Sequence, residues 1–386
     1  MMQRIQFLTA GESHGKGLLG IIEGLPAGLE IDESYIAKQL SRRQLGYGRG
    51  KRMQIEKDHA EIYTGIRFGK SLGSPIGLIL PNKDWENWQI KMSIEAVEEQ
   101  VKTVTLPRPG HADLAGIQKF GFQDIRNVLE RSSARETAMR VALAAICRKL
   151  LESLNIHIAS RIISIHDVID NTNIPSELSM QELNTHADKS PVRCLDPKAE
   201  SKMISAIKKA SDSGDSVGGV IQLMATGLPY GLGSYTHWQR KLHARISAVI
   251  MSVNAFKGIE FGPAFEYGQR LGSETHDEIG WDGKNFSRYS NHAGGIEGGM
   301  SNAQPLDIRL VMKPIPTLIK PLRSVDIHTK EPKAAHKERT DSCAVPAASI
   351  VAEAMLAFAL TDALLEKFGG DSMDQLIQHI HTTGKW

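Results

Sequence analysis

The hexapeptide GLPAGL at 24–29 returns as GLPYGL at 227–232, and this echo constrains the chain more than any other feature. Each copy follows an apolar, strand-like run and precedes a helical stretch, from 32 in the first copy and over 238–253 in the second. Ser13 and Gly15 align with Ser216 and Gly218 at the same offset. A short match arises easily by chance, but the shared strand–turn–helix setting favours two related halves. A length of 386 residues allows two domains or one large one. The echo favours a single domain over 1–386 with pseudo-symmetric halves of roughly 1–200 and 201–386.

Patterning supplies the elements. Residues 4–9 alternate as a strand, 10–17 form a loop, and 19–23 read as β-like. Residues 32–44 read as a helix capped by Asp32, with Ile36 and Leu40 on one face. Strands follow at 61–69 and 75–80, then a turn at 84–88 whose Trp85 and Trp88 are assigned to packing, then an amphipathic stretch at 93–101. A long helix is predicted from Ser133 to about Leu154. Ser133 with Glu136 reads as a capping box, and Ala138, Val141, Ala142, Ala145 and Ile146 supply a buried face. Its many alanines imply close packing and a central position. Beyond it come a strand at 157–166, whose two histidines read as structural, and a polar surface excursion over 171–215 with helical stretches at 180–186 and 197–211. Strands at 220–226, 257–262 and 308–312 follow, with 263–290 read as loop. Pro346 suits the first turn of a last long helix ending near 368–370.

The chemistry gathers at helix starts. Arg131, Ser132 and Ser133 precede the long helix, where orphan N–H groups and a partial positive charge hold phosphate or carboxylate. His111 lies just upstream in a glycine-flanked turn, and Arg339, Thr340 and Asp341 precede the last helix in the same way. Pro314 and Pro316 fix a turn that pre-positions Lys313 and Thr317. NHAGGIEGG at 291–299 suggests backbone that approaches a ligand closely. His14, beside Ser13 on a glycine-rich loop, is by itself an ordinary turn histidine. Between Lys38 and Lys57 there are seven Lys/Arg and one acid, Glu56. That stretch reads as a solvated basic face, as a mobile loop whose arginines close over an anion, or, through Tyr47, as a single-stranded RNA contact.

Several classes are excluded. Gly15-Lys16-Gly17-Leu18-Leu19-Gly20 matches G-x-G-x-x-G but opens a β-like run rather than a helix, and the P-loop lacks its first glycine and its Ser/Thr. There is no G-x-S-x-G, no H-E-x-x-H and no paired-carboxylate motif. Cys147, Cys194 and Cys343 are too scattered for a metal or a disulfide framework. A net charge of +2 gives no global expectation of nucleic acid. Neither a signal peptide nor an apolar run of membrane length is read, so the expectation is a cytoplasmic chain without a membrane partner. What remains is Ser13, His14, Arg43, Arg49, His111, Arg131, Ser132, Ser133, Arg135, Asn254, Lys313, Arg339 and Asp341. This arginine-rich set with two histidines and one aspartate suits a phosphorylated, carboxylate-bearing metabolite. It specifies no redox cofactor.

Five blocks in order make the chain resemble the chorismate synthase family over nearly its whole length. They are GESHGK at 11–16, RRQLGYGRGKRM at 42–53, GHADLAGIQKFGFQDIRNVLERSSARETA at 110–138, MKPIPT at 312–317 and RTDSCAVPAASIVAEAMLAFALTDALLEKFGGD at 339–371. The resemblance implies 1,4-elimination of phosphate from 5-enolpyruvylshikimate 3-phosphate to give chorismate, with reduced FMN and no net redox change. It implies that His14 protonates the leaving phosphate, that His111 stabilises the reduced flavin at its N1 side, and that Asp341 assists proton removal through N5. By the same resemblance Ser13, Arg43, Arg49, Arg135 and Arg339 hold the substrate. Arg131, Ser132, Ser133, Asn254, Ala255, Gly298, Lys313, Pro314, Ile315, Pro316, Thr317 and Arg339 contact flavin. It further implies an α+β fold with helices sandwiched between antiparallel sheets, an internal pseudo-two-fold repeat, a homotetramer, and NADPH as candidate reductant. His292 and Ala303 stand where the family often has arginine and glycine; both lie near the glycine-rich loop and bear on flavin affinity. The rival readings are a flavin-independent lyase for another phosphorylated acid and a basic RNA-binding protein.

Overall fold

The computed structural model describes residues 4–50, 58–99, 101–175, 177–338 and 340–383. Its frame begins with β1 (Gln6–Gly11), β2 (Gly17–Glu23), α1 (Glu33–Gln44), β3 (Glu61–Thr64), β4 (Ile76–Pro81) and α2 (Thr137–Ser153). It continues with β5 (His157–Ile165), β6 (Gly219–Thr226), α3 (Leu242–Met251), β7 (Phe256–Phe261), β8 (Leu306–Met312) and α4 (Val345–Phe368). The architecture is α+β with antiparallel sheets. The first sheet has the order β1-β2-β4-β3 and the second β5-β6-β8-β7, with a short strand at Val168–Ile169 beside β5. Chain order within each sheet is therefore the same. The boundary between sheets falls between α2 and β5, at 154–156.

The repeated hexapeptide ends β2 in one sheet and β6 in the other. Gly24 has φ +88° and Gly227 φ +82°, the left-handed region that glycine enters without strain. A Cβ on Gly24 would lie 1.9 Å from the Arg4 carbonyl oxygen, and one on Gly227 2.1 Å from that of Asn155. Both positions are closed to any side chain for the same reason.

The helices form where their sequences ask. Asp32 caps α1, its Oδ1 accepting from Tyr35 N at 2.8 Å. The predicted capping box at Ser133 does not close. Ser133 Oγ accepts from Arg135 N at 3.3 Å and caps a 3₁₀ turn, Ala134–Glu136, before α2 begins. The Glu136 carboxylate turns instead to Thr9 Oγ1 at 2.7 Å and to Arg140 Nε at 2.9 Å, tying the helix to β1. α2 packs on β1, β2 and β4, and α4 packs on β5 and β6 and along α2. The approach is close because small residues permit it: a Cβ on Gly20 of β2 would meet Met139 Sδ at 2.5 Å. α4 is long and apolar enough to cross a membrane by length and composition, yet it is buried within the protein, which accounts for its character.

Residues 93–99, part of the amphipathic stretch, contain neither helix nor strand. One other expectation is corrected. The 263–290 stretch is not all loop: it holds short helices, Ala264–Tyr267 and Gly272–Thr275, and a hairpin of Ile279–Trp281 with Phe286–Arg288.

Candidate active site

The N-termini of α2 and α4 open on one cavity of about 880 Å³. Ser132, Ser133, Ala134, Arg135 and Thr137 line it from one side, and Asp341, Ala344, Ala347, Ala348 and Val351 from the other. Two helix dipoles thus place their positive ends at the same space, which favours an anion there.

His14 reaches the cavity from the β1–β2 loop. Its Nδ1 lies 3.0 Å from both carboxylate oxygens of Glu130, and its backbone N–H donates to Glu130 Oε2 at 2.9 Å. Its ring stacks on Trp88, centroids 3.9 Å apart and planes 22° apart. Burial pushes the Glu130 carboxyl up, but hydrogen bonds from His14 and Arg126 outweigh this and hold it below the usual carboxylate range. Ser13 joins the site through its hydroxyl, which accepts from Ser133 Oγ at 3.1 Å.

His111 follows Gly110, whose φ is +79°. Its Nδ1 lies 2.6 Å from Oδ1 of Asp113, a fully buried carboxylate that also receives Arg108 Nε at 2.8 Å and Arg108 N at 2.9 Å. Burial works against ionisation of Asp113; the His111 and Arg108 hydrogen bonds prevail and hold it well below the carboxylate range. Arg108 Nη1 continues to Thr317 Oγ1 at 2.9 Å, joining the His111 turn to the 313–317 turn. Lys313 Nζ reinforces that junction by donating to Gly110 O at 2.6 Å.

The arginines form a cationic wall. Arg43 donates from Nε and Nη2 to Thr137 Oγ1 at 3.1 and 2.9 Å, and Arg135 donates from Nε to Asn82 Oδ1 at 3.0 Å and from Nη1 to Asp58. Burial lowers the Arg43 pKa to about 9, with the Arg49 and Arg135 charges adding to it; a bound anion would relieve all three. Asp341 pairs with Arg49, Oδ2 to Nη1 at 3.3 Å, and accepts from Gly50 N at 2.6 Å. Its ion-pair partner here is therefore Arg49. Arg339 lies outside the described residues. Arg42 turns inward to Glu353, Nη1 to Oε2 at 2.8 Å. Arg43 and Arg49 also turn in, whereas Lys38 and Tyr47 are exposed; 51–57 lie outside the described residues.

Of the remaining expected residues, Asn254, Ala255, Lys313, Ile315, Pro316 and Thr317 line the cavity. Asn254 Nδ2 donates to Ser132 O at 2.7 Å. Arg131, Pro314 and Gly298 do not line it. Arg131 donates to the Thr9 and Gly11 carbonyls at 2.7 and 3.2 Å. The 291–299 loop packs on neighbouring backbone: a Cβ on Gly294 would meet Gly262 N at 2.3 Å and one on Gly295 Pro305 O at 2.7 Å, so these glycines serve backbone packing. Among the described residues no group of three or more His, Cys, Asp or Glu could hold a metal ion.

A family model described as chorismate synthase matches residues 5–365. The chain belongs to the chorismate synthase family. Chorismate synthases of Geobacillus sp. (strain WCH70) and Geobacillus kaustophilus (strain HTA426) are 53% and 52% identical over 380 and 386 residues. These alignments span 97% and 99% of this chain and the same shares of the relatives. That of Enterococcus faecalis is 52% identical over 376 residues, 96% of each chain. A crystal structure of chorismate synthase superposes with a TM-score of 0.80 at 39% identity, covering 99% of this chain and 98% of that one.

Several residues around this cavity were not singled out by the sequence. Trp88, read as packing, packs against His14 itself. Asp113 had a signal, the H-x-D spacing after His111, whereas Glu130 and Asn82 had none, because only the fold brings them to the His14 loop.

Proposed function

We infer that the chain converts 5-enolpyruvylshikimate 3-phosphate to chorismate and phosphate by 1,4-elimination, the last shared step of the shikimate pathway, as a carbon–oxygen lyase. The observation that carries this reading is the convergence of His14, His111, Asp341 and three arginines on one cavity at two helix N-termini. Arg43, Arg49, Arg135 and Ser13 hold the phosphate and carboxylates. Their donors and the helix ends stabilise the negative charge that develops as the C3–O bond breaks. The phosphate takes the bonding pair and a proton from Nε2 of His14. His111 and Asp341 face the same space: Asp341 serves the departure of the C6 hydrogen, and His111 would stabilise the reduced flavin when it is bound.

The residues present suit reduced FMN. Leu129, Phe256, Met312, Ile315, Pro316 and Val351 offer an apolar wall for a flat ring, and Ser132, Ser133, Asn254, Lys313 and Thr317 offer donors for a polar tail. When bound, reduced FMN would supply transient electron density for the departure of phosphate, with no net redox change. Gly298, Pro314, Arg131 and Arg339 complete the proposed flavin set by resemblance. NADPH is the proposed reductant.

The finer architecture belongs to the same proposal: a sandwich with α2 and α4 between the sheets, and a pseudo-two-fold repeat within one domain. The equal strand orders and the paired glycine turns support it. A homotetramer is proposed alongside a cytoplasmic location. Exposed Trp238, Phe265, Trp281 and Phe286 support self-association.

Anaerobic incubation with substrate and reduced FMN tests the function. Phosphate and chorismate should form in equal amounts, and omission of reduced flavin should stop both. Phosphate release that is indifferent to flavin would sink the reading. The same assay with NADPH and no added reductase tests self-reduction.

A further inference from the structure

Glu130 does not line the cavity; it stands behind His14 and is 2% exposed. Three elements meet there. His14 comes from the β1–β2 loop, Glu130 follows the short helix Arg126–Leu129, and Trp88 follows the 3₁₀ turn Lys83–Asn87. The Glu130 backbone also takes part, its carbonyl accepting from Ser13 N at 3.1 Å. Glu130 therefore grips the loop on either side of the Ser13–His14 peptide bond and grips the imidazole as well.

The carboxylate leaves the ring little choice. Arg126 Nη1 donates to Glu130 Oε1 at 2.8 Å, and the His14 backbone N–H donates to Oε2 at 2.9 Å. An ionised carboxylate only accepts, so the third approach, from Nδ1 at 3.0 Å to both oxygens, must bring a hydrogen. Stacking on Trp88 fixes the ring plane, since rotation about χ2 would break the stack.

We propose that Glu130 is the positioning residue of His14, holding Nδ1–H in both charge states of the ring and confining the transferable proton to Nε2. The destination of that proton rests on the function inferred above. As the C3–O bond breaks, its electron pair goes to the phosphate oxygen, the Nε2 proton follows to that oxygen, and His14 is left neutral with hydrogen on Nδ1. Glu130 stays ionised throughout. Without it the neutral ring would divide between tautomers, and in the Nδ1-bare form Nε2 would already carry hydrogen, so that it could take up no further proton and, in a neutral ring, would be too weak an acid to protonate the phosphate.

The test uses the full-length protein with ¹⁵N-histidine. Two-bond ¹⁵N–¹H correlation spectra give the tautomer, and the His14 signals are assigned by their loss in His14→Gln. Neutral His14 should carry hydrogen on Nδ1; hydrogen on Nε2 overturns the proposal, and this readout needs neither substrate nor a second variant. In Glu130→Gln the Nδ1–H form should lose ground and kcat should fall about 100-fold, with KM changed by less than about three-fold. Glu130→Asp, which keeps the charge, should recover at least about ten-fold of that loss. Unchanged kcat in Glu130→Gln, or no recovery in Glu130→Asp, also overturns it. Should Glu130→Gln fail to fold, the wild-type tautomer decides alone. An Nδ1–H tautomer in an enzyme that releases no phosphate would leave the positioning intact and remove the function.

Discussion

Ser71 and Ser301 make the same hydrogen bonds in two different turns. Ser71 O accepts from Gly28 N at 2.8 Å, Ser71 N donates to Leu29 O at 2.9 Å, Ser71 Oγ accepts from Leu29 N at 2.9 Å, and Oγ donates to Pro26 O at 2.6 Å. Ser301 does the same with Gly231, Leu232, Leu232 and Pro229 at 2.9, 3.0, 2.9 and 2.5 Å. Each hydroxyl is buried and satisfies two backbone groups of the repeated hexapeptide. Ser71→Ala and Ser301→Ala should therefore each cost about 1–3 kcal/mol, read from urea unfolding, because each strands a buried N–H and takes the hydroxyl donor from a carbonyl. A loss at one serine and none at the other would show that the two turns are not energetically alike.

Asn82 ties the His14 loop to Arg135. Its Nδ2 donates to Glu12 O at 3.0 Å and Gly15 O at 2.9 Å, while its Oδ1 accepts from Arg135 Nε at 3.0 Å. Asn82→Ala should release both His14, the proposed acid, and Arg135, proposed to hold the anion, from their places, lowering kcat/KM by about 10²-fold. Phosphate-release kinetics check it. An activity loss no larger than the stability loss explains would assign Asn82 to folding alone.

Acid should unfold the protein through Asp113 and Glu353. Burial opposes the charge on Glu353, but Arg42, Arg148 and Arg193 hold its carboxyl far below the ordinary range, and Asp113 is held down in the same sense. A folded pKa below the unfolded one means that the unfolded chain binds more protons in acid. The stabilisation is then complete above the ordinary carboxylate values of about 4 and is lost as pH falls below them. Urea midpoints should be level from neutrality to about pH 5 and fall steeply beneath it. Glu353→Gln should blunt that fall while starting about 3–5 kcal/mol lower, since three guanidinium groups lose their common counter-charge.

Ala303 adopts φ +64°, a left-handed conformation that costs an alanine roughly 1–2 kcal/mol. The residue is exposed, so its methyl contributes little packing. Ala303→Gly should raise stability by about 0.5 kcal/mol, the relief of strain exceeding the added freedom of the unfolded chain. An unchanged or lower melting temperature would count against strain at this turn.

Much of the frame was legible because it is local. Asp32 announces α1 by its own hydrogen bond, and the alternation of β1, β2 and β4 follows from one buried face. The hexapeptide echo pointed to matched turns, and Gly24 and Gly227 have the same steric need. What was not legible depends on partners distant in sequence. Glu136 was expected to close a capping box, yet it has a better use against Thr9 of β1. Trp88 resembles any exposed aromatic until the β1–β2 loop lays His14 upon it. The pairing of Asp341 with Arg49, far away in the sequence, was likewise not legible. Glycines at 294 and 295 signalled close approach correctly, but of protein backbone.

α2 and α4 carry buried side chains along nearly their full lengths. Neither can slide or turn without repacking the interior, so the N–H groups at their starts are oriented before any ligand arrives. Binding an anion between them therefore spends little free energy on reorganisation, and the same donors meet growing charge without lag. Substitutions deep in either helix should accordingly be felt as lost catalytic rate before they are felt as lost fold.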